Sequence, residues 1–239
     1  MQSETVNLSE FSGNHVIVDL SQPIRLGRHY IMQLITSLDI RNAEYLSRNR
    51  FISYHHQLRL IFSLGEQVKN VLEIGIFNSL FTTFLKQNNY NVTTADIDPN
   101  LNPDLILDLT TDFSLPKDKF DAIVLFQVLE HFPYEQSEQA LAKLAAATKK
   151  FLVISIPYNT QYLAFQIKTS FSGRPRHLLF NIPKFWSTKP VCNEHYWEMG
   201  LKGYPKQRIL DSVAKAGLTI KQEFIDPTYP YHYFLVLEK

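Results

Sequence analysis

Between residues 70 and 156 the chain alternates short apolar or β-branched runs with amphipathic stretches. The runs are NVLEI (70–74), NVTTA (91–95), DLILDL (104–109), FDAIVLF (120–126) and FLVISI (151–156). FDAIVLF and FLVISI are nearly continuously apolar, as strands become when both faces of a sheet are covered. The stretches between them read as helices: 79–87, with Ser79 able to cap it, and QSEQALAKLAAATK (136–149). Strand–helix alternation of this kind predicts an α/β fold with a doubly wound, mostly parallel sheet. Further on, YPKQRILDSVAKAG (204–217) reads as a helix stopped by Gly217. LTIKQEF and YHYFLVLEK then read as two strands joined by a turn through Asp226-Pro227 and Pro230, an antiparallel addition to the sheet edge.

Either side of this core the pattern changes. Residues 27–65 carry apolar residues at three- and four-residue spacing, in IMQLITSL and HHQLRLIFSL, which predicts an N-terminal helical segment ending at Gly65. Residues 157–203 are rich in aromatics and prolines without steady periodicity and read as an inserted lid, its aromatics forming a small core of their own. The expected division is 1–65, a helical cap; 66–156, the nucleotide-type core; 157–203, the insertion; and 204–239, the helix and strand pair that complete the sheet. Both flanking segments are basic: Arg25, Arg28, Arg41, Arg48, Arg50 and Arg59 in one, Lys168, Arg174, Arg176, Lys184, Lys189 and Lys202 in the other.

Bulk properties exclude several classes. The net charge of +1 argues against a general polyanion binder, and a single cysteine, Cys192, rules out an internal disulfide and a cysteine-built zinc cage. The N-terminus lacks the basic and apolar regions of a signal peptide, and no run approaches the ~18 apolar residues of a membrane span. A soluble, cytoplasmic protein is expected. No His and acidic residues share a metal-ligand spacing, so no metal is expected.

In open α/β sheets ligands bind beyond the carboxyl ends of the strands. Here each strand end delivers polar or turn chemistry: Glu73 and Gly75, then Asp96 and Asp98, then Asp108, then Gln127 leading to Glu130-His131, then Pro157-Tyr158. Asp96 follows Glu73 by 23 positions (73 to 96), near the ~20 expected for a carboxylate that grips a ribose diol. The first turn is poor in glycine, with Phe77 and Ser79 where more would be expected, which argues against the pyrophosphate of NAD or FAD. Glu73 would repel a pyrophosphate and attract a cationic ligand such as a sulfonium.

VLEIG, TTADIDP, LDL, FDAIVLFQVLEHF and ISIPY, in this order, resemble the class I S-adenosylmethionine-dependent methyltransferases over about residues 68–158. The resemblance implies a seven-stranded, mostly parallel sheet with an antiparallel C-terminal strand. It also implies S-adenosylmethionine as cofactor. By position it implies that Glu73 and Gly75 line the methionine portion, in a loop where Phe77 and Ser79 replace the second and third glycines. Asp96 would hold the ribose hydroxyls, Ile97 would pack on adenine, Asp108 and Leu109 would meet the adenine edge, and Phe126 and Gln127 the methionine amino group. NEHYWEMG (193–200) resembles an H-x-W-E-[IM]-G element of some members.

The expected reaction is methyl transfer to an oxygen or nitrogen, with His195 first and His131 second as general base and Tyr158 contacting substrate or cofactor. The histidines have plainer readings: His131 opening a loop and helix, His195 anchoring the lid, and His55-His56, beside Tyr54, capping a helix rather than touching cofactor. The basic segments favour an anionic small molecule, a glycan or a lipid headgroup as acceptor. RNA methylation ranks lower, and a catalytically inactive interaction protein is the reading from a different class. The oligomeric state stays open.

Overall fold

The structure, a computed structural model, describes residues 47–239 apart from Ser172 and Arg174. The helix expected around IMQLITSL and the basic residues at 25, 28 and 41 lie outside the described residues. HHQLRLIFSL falls in α1 (Arg48–Ser63), whose N-cap Ser47 accepts the Arg50 N–H at 3.4 Å. Then come β1 (Asn70–Ile74), α2 (Leu80–Gln87), β2 (Asn91–Asp96), β3 (Leu105–Ile106), β4 (Phe120–Phe126), α3 (Tyr134–Ala147) and β5 (Thr148–Pro157). Two strands, β6 (Thr160–Ile167) and β7 (Arg176–Pro183), precede α4 (Lys206–Lys215), β8 (Thr219–Asp226) and β9 (Tyr229–Glu238).

Seven strands form one sheet in the order β3-β2-β1-β4-β5-β9-β8. β1 to β5 pair in parallel, β9 runs antiparallel to β5, and β8 runs antiparallel to β9. The expected doubly wound sheet is therefore present. Side-chain alternation sends neighbouring residues to opposite layers. Val71, Ala122, Val124, Val153 and Phe234 pack with Leu60 and Ile61 of α1 and Phe81 and Leu85 of α2. Leu72, Ile123, Leu125, Ile154 and Leu235 pack with Leu141 and Leu144 of α3 and Ile209 and Val213 of α4.

Two expectations need local correction. DLILDL yields only the two residues of β3, because its flanking acids turn onto the backbone: Asp104 accepts the Thr94 N–H at 2.8 Å and Asp108 the Thr110 N–H at 2.8 Å. Pro230 lies inside β9, not in the turn. It sits where the β8–β9 register is irregular and before β5 pairing begins at His232, so its missing N–H interrupts no ladder.

Among the described residues β6 and β7 pair only with each other, in register Leu163↔Phe180 and Phe165↔Leu178. Residues directly opposite on antiparallel strands share a face. That face of the ribbon thus carries Leu163, Phe165, Leu178 and Phe180, which remain 57%, 48%, 54% and 56% exposed. The lid aromatics do not form a core, because among the described residues no second layer packs against this ribbon.

Candidate functional site

Chain order diverges from β1 toward β2 and β3 on one side and toward β4 and β5 on the other. This opens a crevice at the carboxyl ends of β1 and β4. Gly75 sits there with φ +84°, donating its N–H to the Ala95 carbonyl at 2.9 Å. A Cβ on Gly75 would meet Val128 Cγ2 at 2.6 Å, so the β1 and β4 loops touch through the absence of a side chain. Phe77 and Ser79 have φ +30° and +54°. These two residues hold the left-handed backbone that glycine adopts freely and that costs other residues ~1–2 kcal/mol each. The left-handed turn removes Ser79 from its expected role, since its side chain makes no capping bond. Asn78 takes that role, its Oδ1 accepting the Leu80 N–H at 3.2 Å while its Nδ2 donates to the Tyr54 hydroxyl at 2.8 Å.

Asp96 organises the rim: Oδ2 accepts the Ile76 N–H at 2.9 Å and Oδ1 the Asp98 N–H at 3.0 Å. Each oxygen keeps a lone pair for a hydroxyl donor. Ile97 beside it is 62% exposed, an apolar surface at the crevice edge. Glu73 is buried and accepts the Thr82 hydroxyl, and burial pushes its carboxyl up to about 8. It is therefore chiefly protonated at neutral pH, not the standing negative charge the sequence suggested. Asp108 Oδ1 is engaged by the Thr110 hydroxyl at 2.7 Å as well as its N–H, and Leu109 is buried in the core. Phe126 packs edge-on against Phe81 at 5.3 Å. Gln127, at φ +58°, turns its amide nitrogen to Glu130 Oε1 at 3.3 Å and its oxygen to the Ile156 N–H at 3.2 Å.

A second constellation stands past β4 and β5. His195 Nδ1 donates to Glu198 Oε1 at 2.8 Å, and His195 Nε2 lies 4.0 Å from Glu130 Oε1. The His131 and His195 rings meet edge-to-face at 4.8 Å. Glu198 is fully buried; Oε1 also accepts the Tyr231 hydroxyl at 2.8 Å and the Val191 N–H at 3.0 Å, and Oε2 accepts Asn159 Nδ2 at 2.7 Å. Burial opposes its ionisation, but these bonds, led by His195, hold its carboxyl below the ordinary value. Burial pushes Glu130 up to about 8, against its own backbone N–H and the Gln127 amide, which do not offset the desolvation. Desolvation, then His195 alongside, lowers the His131 pKa, leaving a neutral imidazole on the rim at neutral pH.

Glu198, Asn159 and Tyr231 escaped the sequence reading. Only the glutamate of the H-x-W-E element offered a signal for them. Tyr158 is 9% exposed, its ring 3.0 Å from where a Gly200 Cβ would stand, with burial raising its hydroxyl pKa. It wedges β5 against residues 199–200 beside the site. His56 is bonded to Asp226 Oδ2 at 2.5 Å and packed on Phe224 and Phe234, a buried structural role. One group of ligand-type side chains could hold a metal ion among the described residues: Glu130, His131 and His195, whose ligand atoms lie within 4.8 Å of one another. Local spacing could not reveal it, because His195 comes 64 positions after His131 (131 to 195).

The chain matches a methyltransferase-domain family over residues 45–189. A search among curated proteins finds no significant match. Among solved structures, magnesium protoporphyrin IX methyltransferase from Synechocystis PCC 6803, bound to S-adenosylhomocysteine, is similar with TM-score 0.57 and 14% identity, covering 85% of this chain and 94% of that one. The 1,6-didemethyltoxoflavin-N1-methyltransferase of Burkholderia thailandensis gives TM-score 0.55 and 14% identity over 92% of both chains. The N-methyltransferase NodS from Bradyrhizobium japonicum gives 0.54 and 16%, over 81% and 89%. At these identities the likeness is one of fold. No helix among the described residues is long and apolar enough to cross a membrane.

Proposed function

The chain belongs to the methyltransferase-domain family, and we propose that it transfers a methyl group from S-adenosylmethionine to an oxygen or nitrogen of a small or medium-sized anionic acceptor. The observation that carries this reading is the β1 loop. Its backbone keeps the left-handed turns of a glycine loop at Gly75, Phe77 and Ser79 although two of the three are not glycine. Such strain persists where surrounding structure and function demand the conformation.

The residues fit the cofactor. Gly75 leaves a cradle that a Cβ would fill, Asp96 retains acceptor capacity for a ribose diol, and Ile97 offers an exposed apolar surface to an adenine ring. Glu73, Phe77 and Ser79 line the methionine side, Asp108, Leu109, Phe126 and Gln127 the remaining wall. S-adenosylmethionine supplies, when bound, a methyl group activated by a sulfonium. The chain's work is to align acceptor with cofactor, exclude water and remove a proton from a hydroxyl acceptor. His195, oriented through Nδ1 by the ionised Glu198, and His131 beside it are the groups that draw that proton; Tyr158 shapes the wall. The exposed cations Lys168, Arg176 and Lys189 favour an acceptor with negative charge.

Calorimetry with S-adenosylmethionine and S-adenosylhomocysteine tests the reading, on wild type and Asp96→Ala. Micromolar binding, lost in the variant, is expected. No binding to the folded wild type would overturn the proposal and leave the non-catalytic interaction protein as the better reading. A screen with methyl-labelled cofactor over phosphorylated and carboxylated metabolites, glycans and RNA then identifies the acceptor.

A further inference from the structure

Among the described residues, three side chains at the carboxyl end of the sheet end in buried polar atoms without a partner: Glu130 Oε2, Asn159 Oδ1 and His232 Nε2. Asn159 bonds directly to Glu198, His232 adjoins Tyr231 in β9, and Glu130 faces His195. Buried polar atoms are nearly always satisfied, so an orphan of this kind points to a missing water, ion or ligand group. Glu130 Oε2 is the most demanding of the three, because its residue is 0% exposed and carries a carboxyl.

What surrounds Glu130 narrows the guest. His195 spends Nδ1 on Glu198, which leaves Nε2 turned toward Glu130 at 4.0 Å from Oε1. A buried carboxylate holding one imidazole nitrogen so that the other faces a cation is the outer-shell arrangement of metal-binding histidines. His131 has the Glu194 backbone carbonyl as hydrogen-bond acceptor for one ring nitrogen, so it too keeps a nitrogen for another partner. Two imidazoles and one carboxylate thus bring ligand atoms within 4.8 Å of one another.

We propose that Glu130, His131 and His195 form a three-ligand site for a divalent first-row transition ion such as Zn²⁺, with an open position toward the crevice. Two histidines and a glutamate leaving one place free is a ligand set of catalytic zinc sites. Tetrahedral bonds of about 2.0–2.2 Å need ligand atoms ~3.4 Å apart. The site must therefore close by about 1 Å, and His131 on the rim is the ligand free to swing. Gln127 adds support by donating its amide to Glu130 Oε1, the oxygen that faces His195 Nε2 and keeps a further lone pair for the ion.

An ion here deepens the methyl-transfer reading, and its role, though not its binding, rests on that reading. The open position accepts the oxygen of an acceptor hydroxyl or carboxylate. An ion lowers the pKa of a hydroxyl it binds, so the proton leaves to water near neutral pH. With the ion bound the two histidines are its ligands rather than bases, and the proton they would otherwise draw leaves to water.

The test uses the full chain, first stripped with chelator, and titrates it with Co²⁺ and with Zn²⁺. One equivalent bound by calorimetry, with a visible d–d band for Co²⁺ displaced by Zn²⁺, is expected. Glu130→Gln is isosteric and His131→Ala lies on the exposed rim, so both retain the fold by circular dichroism. Each weakens the ion at least about tenfold, while His177→Ala, on the ribbon, leaves it unchanged. No stoichiometric binding to wild type, or equal binding to both site variants, overturns the proposal. S-adenosylhomocysteine binding to the stripped protein is the independent readout: a chain that binds S-adenosylhomocysteine but takes up no ion sinks the metal site alone, and one that takes up the ion but does not bind S-adenosylhomocysteine sinks the methyltransferase reading alone.

Discussion

Ser79 and Phe77 accept a backbone twist that glycine would take without penalty, and Ser79 gains no capping bond in return. Ser79→Gly should therefore stabilise the fold by about 0.5–1 kcal/mol, the left-handed penalty less the entropy that glycine adds to the unfolded chain. Urea unfolding checks it, and a loss of stability would show that Ser79 carries an unrecognised contact. The reverse change is Gly75→Ala, which should cost at least about 2 kcal/mol, since φ +84° and Val128 at 2.6 Å both oppose a methyl group. Glu73 gives a titration signature. With its carboxyl near 8 when the site is empty, a sulfonium alongside should drive its proton off. S-adenosylmethionine affinity should then rise from pH 6.5 to 8 more steeply than S-adenosylhomocysteine affinity, and calorimetry in buffers of different ionisation enthalpy should count the released proton. Parallel pH profiles for the two would remove Glu73 from the sulfonium side.

At the level of elements, the ribbon β6–β7 is fastened at its base and, among the described residues, bare along its length. Asn159 holds the base: its N–H donates to the Met199 carbonyl at 2.8 Å, its carbonyl accepts the Lys184 N–H at 3.2 Å, and its amide reaches Glu198. Phe165→Ser and Phe180→Ser, on the bare face, should shift stability by no more than about 0.5 kcal/mol each. Phe151→Ala, fully buried between α1 and the sheet, should cost about 3–5 kcal/mol. A large loss from the ribbon pair would reveal a covering layer. The ribbon escaped sequence reading for a definable reason. Leu163, Phe165 and Ile167 alternate as a strand should, but Tyr162 and Ala164 fill the gaps and Leu178-Leu179-Phe180 runs on unbroken, so no period stands out. β4 and β5 were legible because burial on both faces makes uninterrupted apolar runs. The Asp96 strand end was legible from its spacing, whereas the link from Glu130 and His131 to His195 and Glu198 exists only after β5, the ribbon and its return fold back on β4.

Over the whole molecule, buried titratable groups set how stability follows pH. Glu73 and Glu130 are raised from 4.5 to about 8, so the folded chain holds protons that the unfolded chain releases, and stability falls as pH climbs through that interval. His232, buried and bonded to Ser53 at 2.8 Å, is lowered from 6.5 to about 3 and acts oppositely, costing stability as pH falls below 6.5. Above pH 6.5 only the two glutamates of this trio still act. The thermal midpoint should decline between pH 6.5 and 8, by an amount corresponding to roughly 1–2 kcal/mol per group, and Glu73→Gln should flatten the decline. A flat profile in wild type would place both carboxyls near their ordinary values. Strand order has one more consequence. β9 lies between β5 and β8, so during synthesis the apolar edge of β5 emerges from the ribosome about 75 residues before residues 229–238 arrive to cover it. For that interval the nascent chain exposes an unpaired strand edge, a ready template for pairing with another chain.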